Sequence, residues 1–139
     1  MKKILVSACL MGYECRYKGD GCKNQKLASL KDGNILIPVC PEQLGGLPTP
    51  RFPSERVGDK VIAKNGQDVT EQYVRGADFA VEIAKANEVD FCVMKANSPS
   101  CGKGKIYDGT FSGNKKDGNG VTVDKLLAAG FSVITEEEL

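Results

Sequence analysis

Four short apolar runs of strand length, Ile4–Ala8, Ile35–Val39, Asp90–Lys95 and Phe131–Thr135, are strung along this chain with helical segments between them. None of the runs alternates cleanly between apolar and polar residues, which is the pattern of strands covered on both faces. Parallel neighbours need a long crossover, usually a helix. The alternation of strand and helix therefore predicts an α/β domain. The expected architecture is a three-layer, Rossmann-like open sheet, mostly parallel, with helices on both faces. The 139 residues are expected to form one domain, spanning 1–139.

The helices and turns are signalled locally. Asn24 is placed to cap a short helix ending near Leu30. Asp68 and Glu71 have the spacing of a capping box, and Tyr73, Ala77, Ala80, Val81 and Ala84 then follow with helical periodicity. Val121–Ala129 reads as a helix stopped by Gly130. Val57–Ala63, with Gly58-Asp59 at its turn, fits a small β-hairpin insert at the periphery. Four prolines between 41 and 53 predict an ordered loop with fixed turns, and six glycines between 102 and 120 predict a long functional loop.

Composition limits the chemistry. The chain contains no histidine, so Ser-His and Cys-His nucleophile activation and imidazole metal ligands are excluded. A net charge of +1 gives no field to attract nucleic acid or an anionic membrane strongly. Met1–Cys9 has the outline of a secretory start, but only Ile4, Leu5 and Val6 run unbroken before Ser7, short of the roughly 7–15 residues of a signal core. No run approaches the roughly 20 apolar residues of a membrane span. A cytoplasmic protein is expected, and there several cysteines point to metal binding or catalysis rather than to disulfides.

The six cysteines are at 9, 15, 22, 40, 92 and 101, and no two are separated by only two residues. Zinc ribbons and thioredoxin-type sites are thereby disfavoured. Open parallel sheets bind ligands beyond the carboxyl ends of their strands. Cys9, Cys40 and Cys101 each fall at or just after such an end, so three thiols from distant segments are expected to converge. This donor set suits a soft metal centre, an iron-sulfur cluster first and zinc second. A three-cysteine cubane leaves one iron without a protein ligand, free to act as a Lewis acid. Cys92, flanked by Phe91 and Val93 within a strand, reads as core packing. Cys15 and Cys22 stay open, as additional thiols or as loop residues.

Without histidine, Glu42, two residues after Cys40, is the candidate general acid-base group, a solvated surface carboxylate being the alternative. Ser98 and Ser100 precede Cys101 as candidates to hydrogen-bond substrate or relay a proton, and Gly102 follows as a candidate substrate contact. Turn formation is the alternative for all three.

Several segments together resemble one family: Ser7-Ala8-Cys9-Leu10-Met11-Gly12, Cys15-Arg16-Tyr17, Cys40-Pro41-Glu42 with Gly45-Gly46-Leu47-Pro48-Thr49-Pro50-Arg51, Asp68-Val69-Thr70, Ser98-Pro99-Ser100-Cys101-Gly102 and Ile106-Tyr107-Asp108-Gly109-Thr110-Phe111-Ser112-Gly113. The chain is similar to the thiouracil desulfurases, small bacterial proteins long classed as a domain of unknown function. The resemblance implies a [4Fe-4S] cluster on Cys9, Cys40 and Cys101, and non-redox replacement of a thiocarbonyl sulfur by oxygen from water. It implies Glu42 as the acid-base group and Ser98 as the proton-relaying or substrate-orienting hydroxyl. The implied partner is a small thiolated pyrimidine or other thiocarbonyl, acted on by a monomer or weak homodimer. Two readings compete with it. In one, a non-catalytic zinc or iron-sulfur domain senses or binds, with Cys15 as a fourth ligand closing the site. In the other, a metal-free cysteine nucleophile is activated by Lys95 or Arg16.

Overall fold

A computed structural model describes all residues, Met1–Leu139. In chain order the elements are β1 (Lys3–Ser7), a 3-10 helix (Ala8–Met11), α1 (Gln25–Leu30), β2 (Ile35–Val39), α2 (Pro41–Leu44), β3 (Ser54–Val57), β4 (Lys60–Ala63), α3 (Thr70–Ala86), β5 (Phe91–Met94), β6 (Lys105–Tyr107), β7 (Lys115–Asp117), α4 (Val121–Ala128), β8 (Val133–Thr135) and a 3-10 helix (Glu136–Glu138). The four expected strands form one sheet in the order β2-β1-β5-β8, every pair parallel.

The two faces of that sheet follow from the two-residue period of a strand. Leu5, Cys92, Met94 and Val133 face Ala84 of α3 with Val123 and Leu126 of α4. Ile4, Val6 and Val93 face the other way and pack with Leu27 of α1 and Leu139 at the C-terminus. Helical layers thus cover both faces of the central strands β1 and β5, as their mainly apolar runs require. Pro38 lacks a ladder donor and is tolerated because β2 is an edge strand, bonded only to β1. No helix is long and apolar enough to cross a membrane.

The short helix α2 is fixed by contact of backbone with backbone. A Cβ at Gly76 of α3 would stand 1.8 Å from the Pro41 carbonyl oxygen, and one at Gly45 would stand 1.9 Å from the Gln72 carbonyl oxygen. Glycine at both positions lets α2 lie directly on α3, and this sets where Cys40 and Glu42 point.

Three local expectations are revised. The long loop 102–120 contains an antiparallel hairpin, β6 with β7. The capping box at the start of α3 does not form. Asp68 is drawn into a bridge with Ile62, and its Oδ1 accepts bonds from the Thr70 N–H at 2.9 Å and the Thr70 hydroxyl at 2.6 Å. Val69 becomes the N-cap, and Glu71 pairs with Arg75 instead. The β3–β4 hairpin carries the expected turn, but it is not peripheral: Val61 and Ala63 share a core cluster with Tyr73 and Ala77 of α3.

Candidate thiol-lined active site

Because β1, β2 and β5 run parallel, their carboxyl ends open on one edge of the sheet. The chain leaves β1 through a tight 3-10 turn carrying Cys9, which ends at Gly12 in the left-handed conformation, φ 94°. Cys40 follows β2 directly as the N-cap of α2. Beyond β5 the chain turns through Asn97 and the segment 98–101 to deliver Cys101. These ends enclose a cleft of about 390 Å³ whose walls include Cys9, Cys15, Cys40 and Cys101 with Glu42 and Ser98.

The thiols are electrostatically linked. Cys15 lies against Cys40 and Cys9, and hydrogen bonds from those two thiols pull its pKa down to about 3. The same contacts, with burial, push Cys9 and Cys40 upward. Cys22 adjoins Cys9, whose hydrogen bond lowers it to about 7. Burial pushes Cys101 up to about 11. Several thiolates cannot share such a space unless a positive centre lies among them. No three Cys, Asp or Glu side chains are drawn together tightly enough to hold a single metal ion. A donor set of sulfur alone, spread around a cavity, suits a polynuclear soft-metal centre. Cys92 does not line the cleft and is fully buried within β5, with burial raising its pKa to about 12.

Glu42 sits on the first turn of α2 with its side chain 18% exposed. Arg51, 6% exposed, donates from Nε to Glu42 Oε1 at 3.0 Å. Its other nitrogens donate to the Cys15 carbonyl at 2.9 Å, the Thr49 hydroxyl at 2.9 Å and the Pro48 carbonyl at 3.2 Å. One guanidinium thus ties the Cys15 loop to the helix bearing Glu42, and its fork geometry suits the task. The Tyr73 side chain lines the same cleft as Glu42. Burial first, and then the Glu42 charge, raise the Tyr73 pKa well above 10.0, so the phenol keeps its proton.

Ser98 lines the cleft, and its hydroxyl oxygen accepts the N–H groups of Ser100 at 3.1 Å and Cys101 at 3.0 Å. A hydroxyl has two acceptor sites and one donor, so Ser98 is left with its proton to give. Lys95, also on the wall, pairs with Glu136 Oε2 at 3.0 Å. Burial is the largest single influence and works against its charge, but Glu136, Cys22 and Cys9 together outweigh it and raise the Lys95 pKa.

Two expected substrate contacts lie elsewhere. Ser100 is fully buried, its hydroxyl 2.9 Å from that of Thr122, and it is absent from the cleft wall. Gly102 is buried behind it. A Cβ there would meet Ile106 Cγ2 and the Ser98 carbonyl oxygen, each at 2.8 Å, so this glycine serves close packing. Arg51, the Tyr73 hydroxyl and Glu136 were not signalled by sequence reasoning as site groups. For Arg51 the available signal was its place in the proline-fixed loop after Glu42.

An open parallel sheet that gathers four cysteines and a clamped glutamate beyond its strand ends defines a sulfur-lined α/β domain. The profile of the 2-thiouracil desulfurase family matches residues 4–138, and the chain belongs to that family. It is 45% identical over 146 residues to the "Uncharacterized protein YbbK" of Bacillus subtilis (strain 168), a match covering 98% of this chain and 97% of that protein. Among solved structures it is similar to the [4Fe-4S]-dependent thiouracil desulfidase TudS, with a TM-score of 0.93 and 42% identity. That match covers 100% of this chain and 93% of the other.

Proposed function

We propose that this protein removes sulfur from a small thiocarbonyl compound such as 2-thiouracil, replacing it with oxygen from water and releasing sulfide. No electrons are gained or lost: the thiocarbonyl and one water give the carbonyl and hydrogen sulfide. Cys9, Cys40 and Cys101 would hold a [4Fe-4S] cluster. When bound, such a cluster supplies an iron without a protein ligand, a Lewis acid for sulfur. The observation that carries this reading is the delivery of three thiols from three strand ends to one cleft, with a clamped carboxylate beside them.

The chain's own groups handle the protons. Arg51 holds Glu42 in place, and its carboxylate takes a proton from the water attacking the thiocarbonyl carbon and returns it to the departing sulfur. Ser98, with both acceptor sites filled, donates its hydroxyl proton to a substrate heteroatom and orients it. The Lys95 ammonium, held by Glu136, offsets the negative charge on the leaving sulfide. With 2-thiouracil, cluster-loaded protein is expected to release uracil and sulfide one to one without reductant, and ¹⁸O-water to label the uracil. An absolute need for reductant, or no sulfide from loaded protein, would contradict this reading.

The position of Cys15 between Cys9 and Cys40 favours one competing reading, a site closed by a fourth thiolate. C15S separates them: it keeps cluster and turnover if the site is open, and loses the cluster if Cys15 is a ligand.

A further inference from the structure

Phe111, on the loop between β6 and β7, lines the same cleft as the thiols. Its backbone has φ 56°, in the left-handed region that a bulky residue rarely occupies. Such a conformation persists only where its surroundings impose it. Here the agent is Glu55 of β3, a residue only 8% exposed, whose Oε1 accepts the Gly109 N–H at 2.9 Å and the Phe111 N–H at 3.1 Å. The loop is seated further by Gly109, where a Cβ would meet Val57 Cγ2 at 2.9 Å, and by the Lys116 Nζ bond to the Arg56 carbonyl at 3.3 Å.

This effort serves no core. Phe111 is half-buried and belongs to none of the three apolar clusters. A buried carboxylate is costly to keep without a cation partner, yet Glu55 uses its Oε1 to hold two backbone amides of this loop. The result is a strained backbone presenting an aromatic side chain to the same cleft as the thiols and Glu42.

Resting on the desulfurase reading above, we infer that Phe111 is the face on which the planar heteroaromatic ring of the substrate stacks. The cleft then selects cyclic thiocarbonyls over acyclic ones, and Glu55 is the positioning residue that aims the ring. Stacking on an aromatic side chain tolerates ring substituents, because every such ring offers a π-face. Phe111 therefore sets affinity for the ring and leaves the proton transfers to Glu42.

The test uses cluster-loaded protein, with uracil as a sulfur-free probe of the ring. Calorimetric titration of uracil and steady-state kinetics with 2-thiouracil are run on wild type, F111A, F111Y, E55A and E55Q. In F111A the uracil Kd and the 2-thiouracil KM are both expected to rise about tenfold, the scale that alanine substitution gives for one stacked base. Its kcat should stay within twofold and its iron content should not change. F111Y is expected to restore wild-type values. E55A should raise KM like F111A, while E55Q, whose amide oxygen still accepts both N–H groups, should not. Uracil binding and KM unchanged in F111A, a loss confined to kcat, or no uracil binding by the wild type would each overturn the assignment. If wild type binds uracil but releases no sulfide from 2-thiouracil, the desulfurase reading fails while the titrations still decide the role of Phe111.

Discussion

Glu42 to glutamine (E42Q) keeps the shape of the side chain and removes its ability to carry a proton. The structure gives the cost of the change. Arg51 Nε donates to Glu42 Oε1 at 3.0 Å, and a glutamine carbonyl can accept the same bond, so only the Coulomb share of the ion pair is lost. Arg51 stays charged, so the bond in E42Q remains within the roughly 1.5–3 kcal/mol of hydrogen bonds to charged groups, and a fall from the upper to the lower part of that range makes the loss about 1 kcal/mol. For a chain of this length that lowers the melting midpoint by about 3 °C. Turnover is expected to fall by about 10² to 10⁴, the range for a positioned general acid-base group. The assay measures anaerobic sulfide release from saturating 2-thiouracil, with iron content and melting midpoint followed in parallel. Sulfide release within about threefold of wild type, at full iron content, would refute the role given to Glu42.

Other outcomes follow from the same contacts. R51M leaves the partly buried Glu42 carboxylate unpaired, with an expected cost of about 3 kcal/mol and a melting midpoint about 10 °C lower; a change of under about 2 °C would show that the clamp is not structural. G76A would stabilise an isolated helix by about 0.5–1 kcal/mol, but its Cβ collides with the Pro41 carbonyl. A net loss of about 2 kcal/mol and reduced turnover are expected from the displaced α2, and a more stable G76A would contradict the close approach of α2 and α3. Tyr73 keeps its proton above pH 10.0 in the fold while the unfolded chain releases it there, so the unfolded state binds fewer protons and stability falls with rising pH. Its share of that fall is about 1.4 kcal/mol per pH unit above 10 and nothing well below it. Urea midpoints from pH 8 to 11 should show a shallower alkaline decline in Y73F, and an identical slope would sink the assignment.

How far the chain could be read without its structure depended on the range of the interactions involved. The four sheet strands were visible because each is a short, mainly apolar run without clean alternation, and the two central ones, β1 and β5, are buried along almost their whole length. Once their order implied a parallel sheet, the strand ends located Cys9, Cys40 and Cys101 without further information. The β6–β7 hairpin was invisible, because Lys105–Tyr107 and Lys115–Asp117 offer a single fully buried apolar side chain, Ile106, and depend on docking against β3. The capping signal at Asp68 was overruled by a strand bridge formed in three dimensions. Ser100 resembled a loop hydroxyl until its partner Thr122, 22 residues away, buried it. The Arg51–Glu42 pair spans a proline-rich loop whose path no local pattern specifies.

The central claim is that Cys9, Cys40 and Cys101 alone hold the metal centre, and it is tested most directly by iron and acid-labile sulfide content after anaerobic reconstitution. Wild type is expected to carry about four of each per chain, the content of one cubane. C9S, C40S and C101S should each lose most of both, while C92S, a change confined to the core, should keep them at reduced thermal stability. Full iron in all three ligand variants, or zinc alone in the wild type, would contradict the account.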